Sequence, residues 1–252
     1  MFTSNPFAEL SAFISPTVMQ AYIAVMIFMV AGGTLFDMLE KKSATYFFRA
    51  WRNSKGKATR QLGGAEMTSL AIRTAVVDVL ASGEFCNVRR RIAHILTFYG
   101  FLAYIITTVI MVFSYPTADT PAPAILPVLW NIGALAVLVG GYWFWFFIRV
   151  DVAHEGNSPF RLLRADLFIV SLLVSVTLGL VWEIAQATGN TLWTNVFLAL
   201  YILSTTVLFM SIPWSKFSHM FYKPAAAFEK RVVEANGSSN LPAPAKSPTG
   251  EM

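Results

Sequence analysis

Charge is scarce in this chain. Asp, Glu, Lys and Arg make up 13% of its 252 residues, where a soluble domain carries about 25%. That shortage excludes an ordinary water-soluble body. Cysteine is nearly absent. Cys86 stands alone, so the chain can form no internal disulfide and can hold no cysteine-ligated iron–sulfur cluster. Histidine is rare as well, at His94, His154 and His219. No internal repeat is visible. Lys and Arg are missing altogether from residues 1–15, 114–124 and 188–191.

What fills the chain instead is apolar. Hydrophobic residues reach 56%, and a bilayer span needs roughly 20 mostly apolar residues in a row. Five stretches qualify: residues 16–37, 92–113, 125–148, 165–187 and 192–212. The fold expected is therefore all-α, an integral membrane five-helix bundle. Residues 1–15 would be an outer stub lying at the interface through Phe2, Phe7 and Phe13. Residues 16–230 would be the membrane domain, with a basic loop at 38–91, and residues 231–252 a disordered tail. The first run lacks a basic start and is too long for a signal core, so it reads as a span rather than a cleaved leader.

The cations choose an orientation. All nineteen Lys and Arg fall in three segments, residues 38–91, 149–164 and 213–252. The positive-inside rule then places the N-terminus outside and the C-terminus in the cytoplasm. The net charge of +5 is accounted for by topology and anionic lipid, not by nucleic acid. Within the basic loop, residues 53–64 read as a Gly- and Lys-rich loop. Residues 68–81 carry Leu70, Ile72, Val76, Val79 and Leu80 around Arg73 and Asp78, an amphipathic helix for the membrane surface or a partner. In the first span, Gly32-Gly33 would allow another helix to approach closely. The run Tyr142 to Phe147 reads as an interfacial aromatic belt.

Two histidines stand at the ends of two different spans, on the same predicted face. His94 opens the run 92–113, and His219 follows the run 192–212. Two imidazoles at one depth on two helices are what a bis-histidine b-type haem requires, and filling both axial positions favours electron transfer. Arg91 and Lys216 lie beside these ligands and suit the propionates. Gly100, six residues after His94, would leave room for the ring face. His154 sits in a polar loop and reads as solvated. Glu183 is the clear carboxylate inside a span, and Asp37 closes the first one. Intramembrane carboxylates are functional candidates by default, so both are candidates for a quinone site, where a carboxylate would exchange protons.

Two motifs carry a resemblance. Arg90-Arg91-Ile92-Ala93-His94-Ile95-Leu96-Thr97-Phe98-Tyr99-Gly100-Phe101 resembles the second-helix motif of the respiratory nitrate reductase gamma subunit group. Ile212-Pro213-Trp214-Ser215-Lys216-Phe217-Ser218-His219-Met220-Phe221-Tyr222-Lys223-Pro224 resembles its fifth-helix motif. That group includes the membrane subunits of heterodisulfide reductase and of the quinone-interacting complex of sulfate reducers, and the resemblance covers roughly residues 16–230. It implies that His94 and His219 hold the cytoplasm-proximal b haem. The family's second haem uses histidines where this chain has Tyr104 and Tyr201, so the resemblance implies one haem here. In layout the chain is similar to the membrane anchor of adenylylsulfate reductase, which implies a cytoplasmic flavin and iron–sulfur partner exchanging electrons with the quinone pool. A haem-free docking anchor and a small transporter are the alternatives from other classes. Against the transporter, the sequence has no inverted repeat and no pair of broken helices.

Overall fold

Long apolar runs bury their backbone polar groups only by becoming helices, since a bilayer offers no water to bond them. In the computed structural model, which describes residues 2–40, 43–83, 85, 87–212 and 219–239, every regular element among those residues is helical. The helices are α1 (Pro16–Glu40), α2 (Ser43–Lys57), α3 (Gly64–Arg73), α4 (Val88–Ser114), α5 (Ile125–Trp143), α6 (Val150–Ala153), α7 (Leu167–Ala187), α8 (Thr191–Met210) and α9 (His219–Ala235). A π-helical turn, Thr74–Leu80, continues α3, and another, Phe144–Ile148, continues α5. Five helices are long and apolar enough to cross a membrane: α1, α4, α5 with its π turn, α7 and α8.

The chain divides into two units. The first comprises Met1–Met38 and Ser82–Met220. Its tightest helix pairs are α4 with α5, α7 with α8, and α5 with α7. Glycine makes the α4–α5 contact possible. A Cβ at Gly100 would lie 2.7 Å from Gly133 O, and one at Gly140 would lie 2.7 Å from Ala93 O. Small residues let membrane helices close to backbone contact in this way. α1 is tied on by polar side chains: Gln20 Nε2 donates to Val112 O (3.2 Å), and the Tyr22 hydroxyl reaches Ile202 O (3.1 Å) and Thr206 Oγ1 (3.0 Å). Gly32 is exposed, and a Cβ added there would meet nothing within 4 Å, so at Gly32 itself no described helix makes the close approach, while Gly33 is half-buried.

Residues 2–13 do more than lie at an interface. Phe2 and Phe13 are exposed, but Phe7 and Leu10 are buried. Asn5 Nδ2 donates to Tyr115 O (2.8 Å), and Gln186 Nε2 donates to Pro6 O (3.1 Å). The stub is therefore a plug that ties together the ends of α4 and α7. At the other ends of the same helices, Arg90 Nη2 donates to Ile148 O (3.3 Å). Arg149 is buried there. It pairs with Asp166 (3.0 Å), donates to Arg161 O (2.6 Å) and lies 4.3 Å over the Trp145 ring. The π turn carries Trp145 inward while leaving Phe147 exposed, so the aromatic run is part belt and part core. Thus the cation-free segments gather at one end of the bundle and Arg90, Arg149 and Arg161 at the other.

The second unit comprises Leu39–Ala81 and Phe221–Met252. Trp51 of α2 stacks on Phe228 of α9 (5.9 Å, 28°). The Asn236 carbonyl accepts from the Thr59 and Arg60 amides (3.0 and 3.3 Å). Arg231 makes two bonds to Asp78, 2.6 and 2.8 Å. Gly237 ends α9 with φ +73°, and a side chain there would collide with Thr59 Oγ1. Two expectations change. α2 runs on to Lys57, so much of the supposed loop at 53–64 is helix. Residues 231–239, expected within a disordered tail, finish α9 and fasten it to the segment around Thr59.

Candidate functional site

His94 lies in the second turn of α4. Asn87 caps that helix, its Oδ1 accepting from the amides of Arg89 (2.9 Å) and Arg90 (3.3 Å), which fixes where the helix begins and hence where His94 points. The imidazole is exposed and framed by aromatic rings, Phe85 edge-on at 5.0 Å and Phe98 at 5.9 Å. Arg91 is exposed one turn before it. His219 is the first residue of α9. Lys216 falls within residues 213–218, outside the described residues, as does Cys86. His154 is exposed, as its polar loop implied.

α4 and α8 are not among the helix pairs in tightest contact. A polar bridge crosses between them. The Tyr104 hydroxyl donates to the Tyr201 hydroxyl at 2.7 Å, deep in the core. Tyr104 stacks on Trp130 (4.9 Å, 26°), and Tyr201 stacks on Trp182 (5.8 Å, 20°). Gly179 of α7 makes the room: a Cβ there would stand 2.6 Å from the Tyr104 hydroxyl and 3.2 Å from the Tyr201 ring.

This geometry bears on where a haem fits. At the tyrosine pair it does not: the two hydroxyls bond each other, indoles cover both rings, and no nitrogen ligand is present. At the His94 end one imidazole is exposed beside aromatic rings, a nitrogen donor of the kind a haem iron takes. Gly100 plays another part than the one expected. The room it leaves is filled by the α5 backbone, Gly133 O and Val137 N at 2.7 and 2.9 Å from its would-be Cβ, so it serves helix contact rather than a ring face.

The carboxylate candidates are both shut away. Asp37 is fully buried on α1. Glu183 is 3% exposed, not reaching water at all. Its Oε1 accepts from Asn131 Nδ2 (3.1 Å), which also donates to Pro127 O (3.0 Å). The plug closes over this corner: Phe7 meets Trp130 edge-on at 5.9 Å and lies 5.5 Å from Trp182. Among the described residues, Glu183 Oε2, Asn131 Oδ1 and Trp182 Nε1 find no hydrogen-bond partner, two acceptors and one donor buried without compensation. Asn131 and Gly179 were not foreseen, though the lone amide of one apolar run and the one carboxylate within α7 are the pair a membrane would force together.

The fold and site define an all-helical protein with five helices fit to cross a membrane, a hydrogen-bonded tyrosine pair in its core and an accessible histidine at its arginine-bearing end. No family model matches the chain, and no solved structure matches it. It is similar to citrate utilization protein B of Escherichia coli, 28% identical over 236 residues, which is 86% of this chain and 58% of that protein. The chain thus spans less than two thirds of that relative's length.

Proposed function

We propose that this protein is a membrane subunit of a quinone-linked oxidoreductase in a bacterial inner membrane, with its N-terminus outside. In this reading it anchors a cytoplasmic iron–sulfur and flavin enzyme and holds one b haem between α4 and the start of α9, with His94 and His219 as axial ligands. Arg91 and Lys216 would pair with the propionates. A b haem supplies reversible one-electron transfer. The observation that carries the reading is a contrast along α4: an exposed imidazole, His94, in its second turn, and a core position where the Tyr104 hydroxyl is bonded to Tyr201. That contrast supports one haem rather than two.

The soluble partner has two readings. The resemblance in layout favours adenylylsulfate reductase. The similarity to a protein named for citrate utilization favours an enzyme acting on a small carboxylic acid. Affinity purification of the full chain from its own membranes, followed by assay of the co-purified enzyme with each substrate, separates them.

The haem is tested by a reduced-minus-oxidised spectrum and pyridine haemochrome quantification on protein made with haem available. We expect about one b haem per chain, lost in both His94→Ala and His219→Ala. Retention of the b-type absorbance by either variant sinks the ligand assignment. A folded wild-type protein without haem leaves the docking-anchor reading in its place.

A further inference from the structure

The second unit carries an apolar face that nothing in the described chain covers. Along α3 and its π turn, Ile72 is 60% exposed, Val76 51%, Val77 40% and Leu80 49%. Ala71 and Ala75 are exposed between them. Thr74 and Asp78 of the same stretch turn the other way. Thr74 is buried with its hydroxyl donating to Leu70 O (2.8 Å), and Asp78 is drawn inward by Arg231. The acid that would repel an anionic surface is thereby neutralised on the covered side. An amphipathic helix with its acid paired behind, its aliphatic side chains in front and Arg73 exposed beside them suits the boundary between headgroups and acyl chains.

Two further facts select the occupant. The chain enters this unit directly from the membrane-fit α1 and leaves it, through residues 82–87, directly into the membrane-fit α4. A lipid surface is therefore at hand at both ends of the segment, before any soluble partner arrives. Residues 39–81 also carry eight Lys and Arg against three acids, and Phe48, Arg49, Arg52 and Arg73 are exposed. Basic groups beside a membrane are attracted to anionic headgroups.

We propose that the exposed face of α3 and its π turn is a binding surface for anionic phospholipid, lying in the headgroup layer of the leaflet that α1 and α4 enter. This rests on the membrane-spanning reading of the five helices and not on the haem. The stretch is then a monotopic element inside a multi-pass protein, and Gln61, which lines a cleft with Trp51, Met67 and Val232, is a position outside that aliphatic face.

The experiment uses the full chain, free of other proteins, in nanodiscs of phosphatidylglycerol and phosphatidylethanolamine. In a Cys86→Ser background, Val76→Cys, Leu80→Cys and, as control, Gln61→Cys each receive an environment-sensitive fluorophore. All three positions are exposed or at a cleft, so the substitutions leave the packing intact. We expect the dyes at 76 and 80 to be quenched by nitroxide-labelled lipid and shielded several-fold from acrylamide relative to the dye at 61. Replacing phosphatidylglycerol by phosphatidylcholine should weaken the lipid quenching. Acrylamide quenching at 76 and 80 equal to that at 61 overturns the proposal and marks the face as one kept open for a soluble partner. The readout involves no haem, so its failure leaves the ligand assignment untouched.

Discussion

Gly179 is worth more to this bundle than its size suggests. Its missing side chain is the space in which the Tyr104 and Tyr201 hydroxyls meet. Tyr104 cannot swing aside, because Trp130 stacks on it and the residue is 3% exposed. A methyl at 179 therefore has to push either tyrosine off its partner, an overpacking that costs about 1–3 kcal/mol. Removing the hydroxyl by Tyr104→Phe loses a single interhelical bond, about 0.6 kcal/mol in a membrane protein. The two changes should not add. Gly179→Ala with Tyr104→Phe is expected to melt above Gly179→Ala alone, since the atom in the way has gone. Thermal melts of the four proteins in one detergent check this, and strict additivity would mean that the strain lies elsewhere. The tyrosines themselves could be picked out in the sequence only through their place in a resemblance. That they face each other, and that Gly179 admits them, depends on helix rotation, which composition does not set.

The elements were legible in proportion to the length of their apolar runs. Five spans could be read because about 20 apolar residues have few other fates, and their ends moved only by a few residues on folding. Short or mixed segments were not legible. The plug at residues 2–13 has no periodicity to betray that Phe7 goes in while Phe2 and Phe13 stay out. The Asp78–Arg231 pair joins residues 153 apart, and no local pattern reports a contact of that reach. That pair sets a pH dependence. The Arg231 guanidinium bonded to Asp78, helped by Arg73 and Lys230, holds its carboxyl below the ordinary aspartate value. Its stabilising effect is therefore complete above the unfolded-state value and is lost as the pH falls through the lower, folded one. Glu229, raised by burial, acts in the opposite sense, so the clean quantity is wild type minus Asp78→Asn. Charge-assisted bonds contribute about 1.5–3 kcal/mol. The α9 amides of the variant should exchange hydrogen roughly tenfold faster or more at neutral pH. The difference should shrink toward nothing on acidification below about pH 4. A difference independent of pH would show that the pair contributes nothing through charge.

At the scale of the whole molecule the question is which way up the bundle stands. Segments without Lys or Arg come together through Asn5, Tyr115 and Gln186 at one end, and Arg90, Arg149 and Arg161 come together at the other. This separation of charge was readable from the sequence, since it needs only the counts in each connecting segment. The folded chain adds that residues 5–6 meet Tyr115 and Gln186, and that Arg90 meets the chain beside Arg149. In the reading proposed above, a membrane that retains positive loops in the cytoplasm would place the arginine-bearing end, with His94, inside. In a Cys86→Ser background, a cysteine at Thr120 should react with a membrane-impermeant maleimide in intact cells. A cysteine at Ser158 should react only after the cells are broken. Both residues are exposed, so access is decided by the membrane and not by packing. Labelling of Ser158→Cys in intact cells would turn the molecule over. His94 would then face outward, and a cytoplasmic enzyme could not dock at the end where the proposed haem sits. The orientation is thus the premise on which the electron-transfer reading stands, and it can be settled without knowing the partner or the cofactor.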